Sequence, residues 1–461
     1  MGRPTRMRPY LAAIAAVLLA AGAAPVRGQT PSNVTVFEGA RVITADGSAP
    51  IEDAAIIVAG DRITAVGRRG EVAAPNGATL LDLTGKTVMP ALVDTHVHMG
   101  YRRGTSFTAD NYTRENLLDM LDRYAWYGVA AVLETGTGRG DLPYQVRAEA
   151  TSSTRYLTAG SGFGMPNAGP GGAMRDSAYG VTEEGQARND VRELATHKPD
   201  MVKIWVDDRN GTVEKLKPNL YRAIIDEAHQ HNLRVMAHTF ELADAKDLLR
   251  AGLDGFAHMV RDRDVDDEFL ALVKARPNVF FLETLWGERR AIFTARPAWV
   301  DDAALRDTFS ADSLRQLAEQ LSPDSKADPQ SVQRGRTMAA TNLRNTAKLY
   351  AAGARIGLGT DTGGVSGGQF FGLGSHVELE ILVSKAGLTP MQALVIGTRT
   401  SAEILGLTDL GIIAAGKSAD FIVLDANPLD NIANTRRINR VYLHGKEIPR
   451  AALSAKWSAK G

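Results

Sequence analysis

The sequence predicts an α/β protein: a (β/α)8 TIM barrel with a small β-sandwich domain assembled from both chain ends. Three observations predict it. Through the middle of the chain eight apolar runs alternate with helical stretches, the pattern of a parallel sheet buried on both faces. The two ends share another style, short β runs broken by turn residues, and neither end alone has strands enough to be stable. Five of the apolar runs carry His, Lys or Asp near their C-terminal ends, where barrels of this kind build their sites. A doubly wound open sheet is the alternative, but the glycine-rich fingerprint that would favour it does not open this region.

Residues 1–28 read as a secretory signal peptide. Arg3, Arg6 and Arg8 form a basic start, Leu11 to Ala24 is apolar, and small residues offer cleavage after Ala23 or Gly28. An uncleaved anchor is the competing reading. The expectation is an exported protein, periplasmic or secreted, with no membrane segment once the signal is removed. Residues 29–89 give the first part of the β-sandwich, with VTVFEG, ARVITADG and AAIIVAGDRITAVG as strand runs. Residues 90–408 form the barrel. Its strand runs are VMPALVDTHVH, GVAAVLETG, RYLTAG, DMVKIWV, LRVMAH, DGFAHMV, NVFFLE and ARIGLGTD. Residues 409–461 return to the sandwich through SADFIVLDANP and RRINRVYLHGKEI. Between the seventh and eighth runs, residues 286–335 are charged and lack a clear strand. They read as an enlarged insert, either a lid or a solvated extra helix.

Composition narrows the chemistry. The 461 residues include 53 Lys+Arg and 53 Asp+Glu, so no net charge draws the chain to nucleic acid. With no cysteine, disulfides, thiolate metal sites and a cysteine nucleophile are excluded. A metal must then be held by His, Asp, Glu or a less usual ligand.

His96 and His98 are two apart on one strand, so both imidazoles face one side, which suits a divalent transition metal. Lys203 sits inside the apolar run MVKIWV, where a buried ammonium must be paired, snorkel to the strand end, or be chemically changed. A lysine carbamate would turn that cation into an anionic oxygen ligand able to bridge two ions. His238 and His258 each end an apolar run, and Asp361 ends the last one in IGLGTDTGG. Each alone has a bland reading, as a core histidine or a turn cap. Together they point to one metal site. Glu134 and Glu283 also end strand runs and are candidates to support it. His197, His229, His231 and His444 read as structural. His376 follows the glycine-rich stretch and is a weaker candidate to face the pocket.

These residues, with MPALVDTHVH, GTDTGG and the ending LGLTDLGIIAAGKSADFIVLDANPLDNI, resemble the metal-dependent amidohydrolase superfamily, most nearly its imidazolonepropionase-like and Xaa-Pro dipeptidase-like branch. The resemblance covers nearly the whole chain after the leader. It implies that His96, His98 and Asp361 hold the more buried ion, that His238 and His258 hold a second, and that Lys203, N6-carboxylated, bridges them. One or two divalent ions, zinc first, are implied. With Lys203 unmodified, the site becomes mononuclear with His238 joining the first group. Asp361 is the implied catalytic residue. It takes a proton from the attacking water and passes it to the leaving group.

The function expected from this is hydrolysis of an amide or peptide C–N bond by a metal-activated hydroxide. A dipeptide, an N-acyl amino acid or an aryl amide is the small-molecule partner. A cyclic amide or ester hydrolase is the alternative, and a non-catalytic binding protein on the same barrel is a third. Residues following the strand runs are the candidates to touch substrate: Tyr101, Arg103, Met165, Trp205, Arg209, Trp286 and Arg289. Arginines there would bind a carboxylate and aromatics would cover an apolar group. Relatives often form homo-oligomers, though no interface is legible in this sequence.

Overall fold

The computed structural model of the chain describes residues 1–2, 34–150, 153–322 and 328–458. All but the first two residues of the expected leader lie outside them. Among the described residues no helix is long and apolar enough to cross a membrane.

Eight parallel strands form the barrel: β1 (Leu92–Val97), β2 (Val129–Glu134), β3 (Arg155–Thr158), β4 (Val202–Val206), β5 (Val235–Thr239), β6 (Gly255–Phe256), β7 (Phe280–Glu283) and β8 (Arg355–Leu358). Each falls on one of the eight apolar runs. Ladders join β1 to β2, β2 to β3, and β4 through β8 in order. Three contacts close the ring at its two remaining seams. Asp200 N–H donates to Thr158 O at 2.9 Å between β3 and β4. Val97 bridges Thr362 in parallel, and the Thr95 hydroxyl donates to Leu358 O at 2.7 Å, between β1 and β8. Apolar side chains of the strands are buried on both sides, which is why the runs read as continuous rather than alternating. Metal-type residues are the interruptions.

Both chain ends build one sheet. Its order is Lys446–Glu447, Ile438–Leu443, Phe421–Leu424, Thr87–Pro90, Val34–Val42, Ile51–Ala59 and Arg62–Arg68, with Thr79–Asp82 paired to Val34–Val42 off that path. The strands of Phe37 and Tyr442 are three places apart, roughly 14 Å in a flat sheet, yet their rings meet edge to face at 4.9 Å. The sheet therefore folds over on itself around Phe37, Phe421 and Tyr442 as a sandwich. A register shift at Gly39 (φ 87°) bends the strand where Thr84 packs too close for any side chain. The final helix, Arg450–Ser458, leaves this sheet and packs on the barrel helix Arg114–Trp126, where the Trp457 indole donates to Asp119 at 2.9 Å.

The insert after β7 is helical among its described residues, with short turns from Leu285 to Asp307, a helix Ala311–Gln320 and a long helix Pro329–Ala351. Its start is not solvated. Leu285, Trp286 and Arg289 are buried, because this turn passes under the loop that follows β8.

Candidate metal centre

His96 and His98 leave the end of β1 on one face, and Asp361 sits just beyond β8, its neighbour across the closure. One donor atom from each of these three lies within 4.8 Å of the others. Asp361 Oδ1 is 3.1 Å from His98 Nε2 and 3.7 Å from His96 Nε2. Asp361 occupies left-handed backbone at φ 54°, a conformation costing on the order of 1–3 kcal/mol in a non-glycine residue and held here by its N–H bond to His96 O at 2.9 Å. Lys203 and Trp205 share a face of β4, and Trp205 pairs in register with His238 of β5. Ring centroids of His96 and His258, and of His258 and His238, are each 4.6 Å apart. All five sequence-predicted positions other than His96 line one cavity of about 520 Å³: His98, Lys203, His238, His258 and Asp361. His96 lies fully buried beneath them.

The donor chemistry fits a divalent cation. His96 Nε2 and Lys203 Nζ are buried with no hydrogen-bond partner among the described residues. His96 donates from Nδ1 to Ala257 O at 2.8 Å, which leaves the Nε2 lone pair aimed at Asp361. His98 Nδ1 lies 3.1 Å from Thr137 Oγ1, and that hydroxyl donates to Glu134 at 2.5 Å, so the imidazole is the donor to Thr137. His258 Nδ1 lies 2.8 Å from Thr284 Oγ1. His238 is reversed, with Nε2 3.1 Å from Asp207 Oδ2.

Burial, then the Lys203 charge, holds His96 well below the ordinary imidazole value. Burial, then His238, does the same to His258. Burial pushes the Lys203 ammonium down to about 7, with no carboxylate paired to it. Burial would raise Asp361, but its contacts with His98, His96 and Ser366 together outweigh it and keep a carboxylate. Imidazoles around a carboxylate, with His96 and His258 held in the neutral form, are a ligand set for a divalent ion.

Glu134 and Glu283, behind the ligands, are not among the residues that line the cavity. Glu134 accepts from Thr137 and Thr158, and Glu283 accepts from Thr284 N–H and Thr346. Both therefore act through threonines. Asp94 accepts from Thr360 at 2.8 Å and Ser375 at 2.9 Å, pinning the strand that bears His96, and burial raises it to about 7. Glu378 accepts from the N–H groups of Leu285 and Trp286.

Of the residues expected to touch substrate, Trp205 and Arg209 line the cavity. The other five are placed elsewhere. Tyr101 is buried and donates its hydroxyl to Thr137 O at 2.7 Å. Met165 packs in the barrel core. Arg103 is exposed on a separate cavity. Trp286 donates its indole N–H to Gly367 O at 2.8 Å, and Arg289 stacks on Trp286 and donates to Ser366 O at 2.7 Å. Both lie beneath the loop because their donors meet its carbonyls. His376 also turns inward, bonding Tyr127 O through Nε2 at 2.8 Å. The cavity wall adds residues the sequence reading did not name, Arg175, Arg261 and Glu288. Arg261 follows the His258 strand by three residues, which is the signal that marks it.

The barrel carries a His-His-Asp group that could hold a metal ion, and comparison with known proteins identifies the family. The amidohydrolase family profile matches residues 87–448. The chain belongs to that family. It is similar to the enamidase of Eubacterium barkeri, 23% identical over 85% of this chain and 86% of that protein. It is also similar to the imidazolonepropionase of Deinococcus radiodurans, 26% identical over 86% and 92%. A solved Xaa-Pro dipeptidase with bound methionine in the active site superposes with a TM-score of 0.69 at 19% identity, covering 90% of this chain and 99% of that one.

Proposed function

We propose that the protein is an exported hydrolase that cleaves an amide or peptide C–N bond of a dipeptide, N-acyl amino acid or aryl amide. Hydrolysis of C–N bonds is the chemistry of its family. The observation that carries the reading is the convergence of His96, His98 and Asp361, with the unpartnered Nε2 and Nζ of His96 and Lys203 facing the same centre.

His96, His98 and Asp361 would hold one divalent ion, zinc in this proposal. His238, through Nδ1, and His258, through Nε2, would hold a second, with carboxylated Lys203 between them. The metal, when bound, supplies Lewis acidity to the water and the scissile carbonyl. Asp361 accepts the proton of the attacking water. It then delivers that proton to the leaving nitrogen as the C–N bond breaks, so water adds OH to carbon and H to nitrogen. The Ser366 hydroxyl, donating to Asp361 Oδ2 at 3.0 Å, orients the carboxylate for both transfers. Arg175, Arg209 and Arg261 on the cavity wall suit a substrate carboxylate, and Trp205 covers an apolar group beside it. The neutral amine is the form that adds carbon dioxide, and burial of Lys203 makes that form more accessible by lowering its pKa to about 7.

The test is a hydrolysis screen of dipeptides, N-acyl amino acids and aryl amides with protein prepared in zinc and bicarbonate. Turnover of a carboxylate-bearing amide supports the reading. Turnover only of cyclic amides or esters overturns the substrate class. Zinc uptake with no hydrolysis of any of these overturns the activity. Export is tested by N-terminal sequencing of the secreted or periplasmic protein, and a chain still starting at Met1 contradicts it.

A further inference from the structure

The loop after β8 places Asp361. Backbone bonds brace it, Gly363 N–H to Gly368 O at 2.6 Å and Gly364 N–H to Asp361 O at 3.0 Å, and side chains hold most of its remaining carbonyls. Five successive carbonyls, from Gly363 to Gly367, accept hydrogen bonds from three side chains. Arg102 approaches from one side, with Nε 3.3 Å from Gly363 O and Nη2 2.8 Å from Gly364 O and 3.2 Å from Val365 O. Arg289 approaches from the other, with Nη1 2.7 Å from Ser366 O and 3.0 Å from Trp286 O. The Trp286 indole takes Gly367 O at 2.8 Å. The loop is wound too tightly for side chains at two points. A Cβ at Gly363 would stand 1.5 Å from His98 O, and one at Gly367 would stand 1.8 Å from Asp361 O.

Arg289 is the unusual member. It is 1% exposed, its guanidinium lies 4.3 Å from the Trp286 ring, and among the described residues no carboxylate pairs with it. A buried guanidinium without a counter-ion is costly, and here its bonds to the Trp286 and Ser366 carbonyls and to Gln320 offset that cost. Its bond to the Ser366 carbonyl fixes the residue whose hydroxyl donates to Asp361 Oδ2. Asp361 itself stands in left-handed backbone that only its surroundings can hold.

We propose that Arg289 and Arg102 are positioning residues for proton transfer: a two-sided guanidinium clamp on the carbonyls of residues 363–366 that sets Ser366 Oγ against Asp361. The proposal rests on the reading of Asp361 as the proton carrier. Neither arginine is among the residues that line the cavity. Loss of the clamp lets Asp361 keep its place near the histidines while losing the orientation that shuttles the proton.

The experiment uses the full zinc-loaded enzyme with Arg289→Lys, Arg289→Met, Ser366→Ala and the Arg289→Met/Ser366→Ala double variant. For each single variant kcat is expected to fall roughly 10–100-fold, with KM and zinc affinity changed less than about threefold, and Arg289→Lys is expected to recover part of the loss. The double variant should be no worse than the worse single one, because both act along one line. Hydrogen–deuterium exchange is read in parallel. Amides of residues 363–371 should exchange faster in Arg289→Lys and Arg289→Met than in the parent, while the barrel strands do not. Losses that multiply in the double variant overturn the proposal, as does a rise in KM alone, which would make Arg289 a substrate contact. Unchanged exchange overturns the clamp even if no amide substrate is found. Should Arg289→Met fail to fold, Arg289→Lys with Ser366→Ala provides the same cycle.

Discussion

The Nε2 of His238 lies 3.1 Å from Asp207 Oδ2, which turns this imidazole end for end relative to the other three. His96, His98 and His258 are each tied through Nδ1 to an oxygen and leave Nε2 for the centre. Asp207 stays a carboxylate because His238, the Arg209 N–H and Arg261 together outweigh the upward push of burial, so it can only accept. His238 must therefore carry its proton on Nε2 and present Nδ1 to the cleft.

Asp207→Asn should reverse that tautomer, since an amide can donate to Nε2 and leave a proton on Nδ1. Zinc affinity at the centre is expected to fall about 10–100-fold, read by competition with a chelator of known strength. Affinity equal to that of the parent would remove Asp207 from the site.

Asp361→Asn keeps the size and most of the hydrogen bonds of the side chain but cannot carry the proton. Turnover is expected to fall at least ~100–10,000-fold with an unchanged far-ultraviolet circular dichroism spectrum. A variant that still turns over near the parental rate would assign the proton transfer to another group.

Lys203 should respond to bicarbonate. Protein stripped of metal at low pH and returned to zinc at pH 7.5 is expected to regain activity faster with bicarbonate than without. Lys203→Met should show no such difference. A parent that recovers at one rate in both conditions would leave Lys203 as an unmodified amine.

Glu283 gives a pH signature in stability. Burial raises it from 4.5 to about 8 in the fold. Between those values the native state binds more proton than the unfolded chain. Its contribution is full below about 4.5 and is lost as pH rises through 8. Glu283→Gln removes that slope. The melting temperature of the variant relative to the parent should rise between pH 5 and pH 8, and parallel melting curves across that range would contradict the assignment.

The barrel was legible because strands buried on both faces leave continuous apolar runs, and the metal-type residues stand out as interruptions in them. Lys203 within MVKIWV is the plainest case. The supporting carboxylates were harder to read. Asp94 and Glu378 are ordinary residue types whose partners, Thr360, Ser375 and the backbone of Leu285 and Trp286, come from distant parts of the chain. Glu378 sits in a helix whose residues Leu373 to Leu379 are all buried, which only the fold reveals. Arg289 was read as a substrate contact because it follows a barrel strand in a charged segment. Its partners are backbone carbonyls, which have no signature in a sequence. His376 was misleading for a similar reason, since its acceptor is the carbonyl of Tyr127.

The central claim is that one ion lies among His96 Nε2, His98 Nε2 and Asp361 Oδ1. Anomalous diffraction at the zinc edge, from crystals grown with zinc and bicarbonate, tests it most directly. The account predicts a strong peak bonded to all three atoms, at the roughly 2.0–2.2 Å expected of zinc with nitrogen and carboxylate oxygen. Zinc found only elsewhere on the protein, with these three side chains bonded to one another instead, would contradict it.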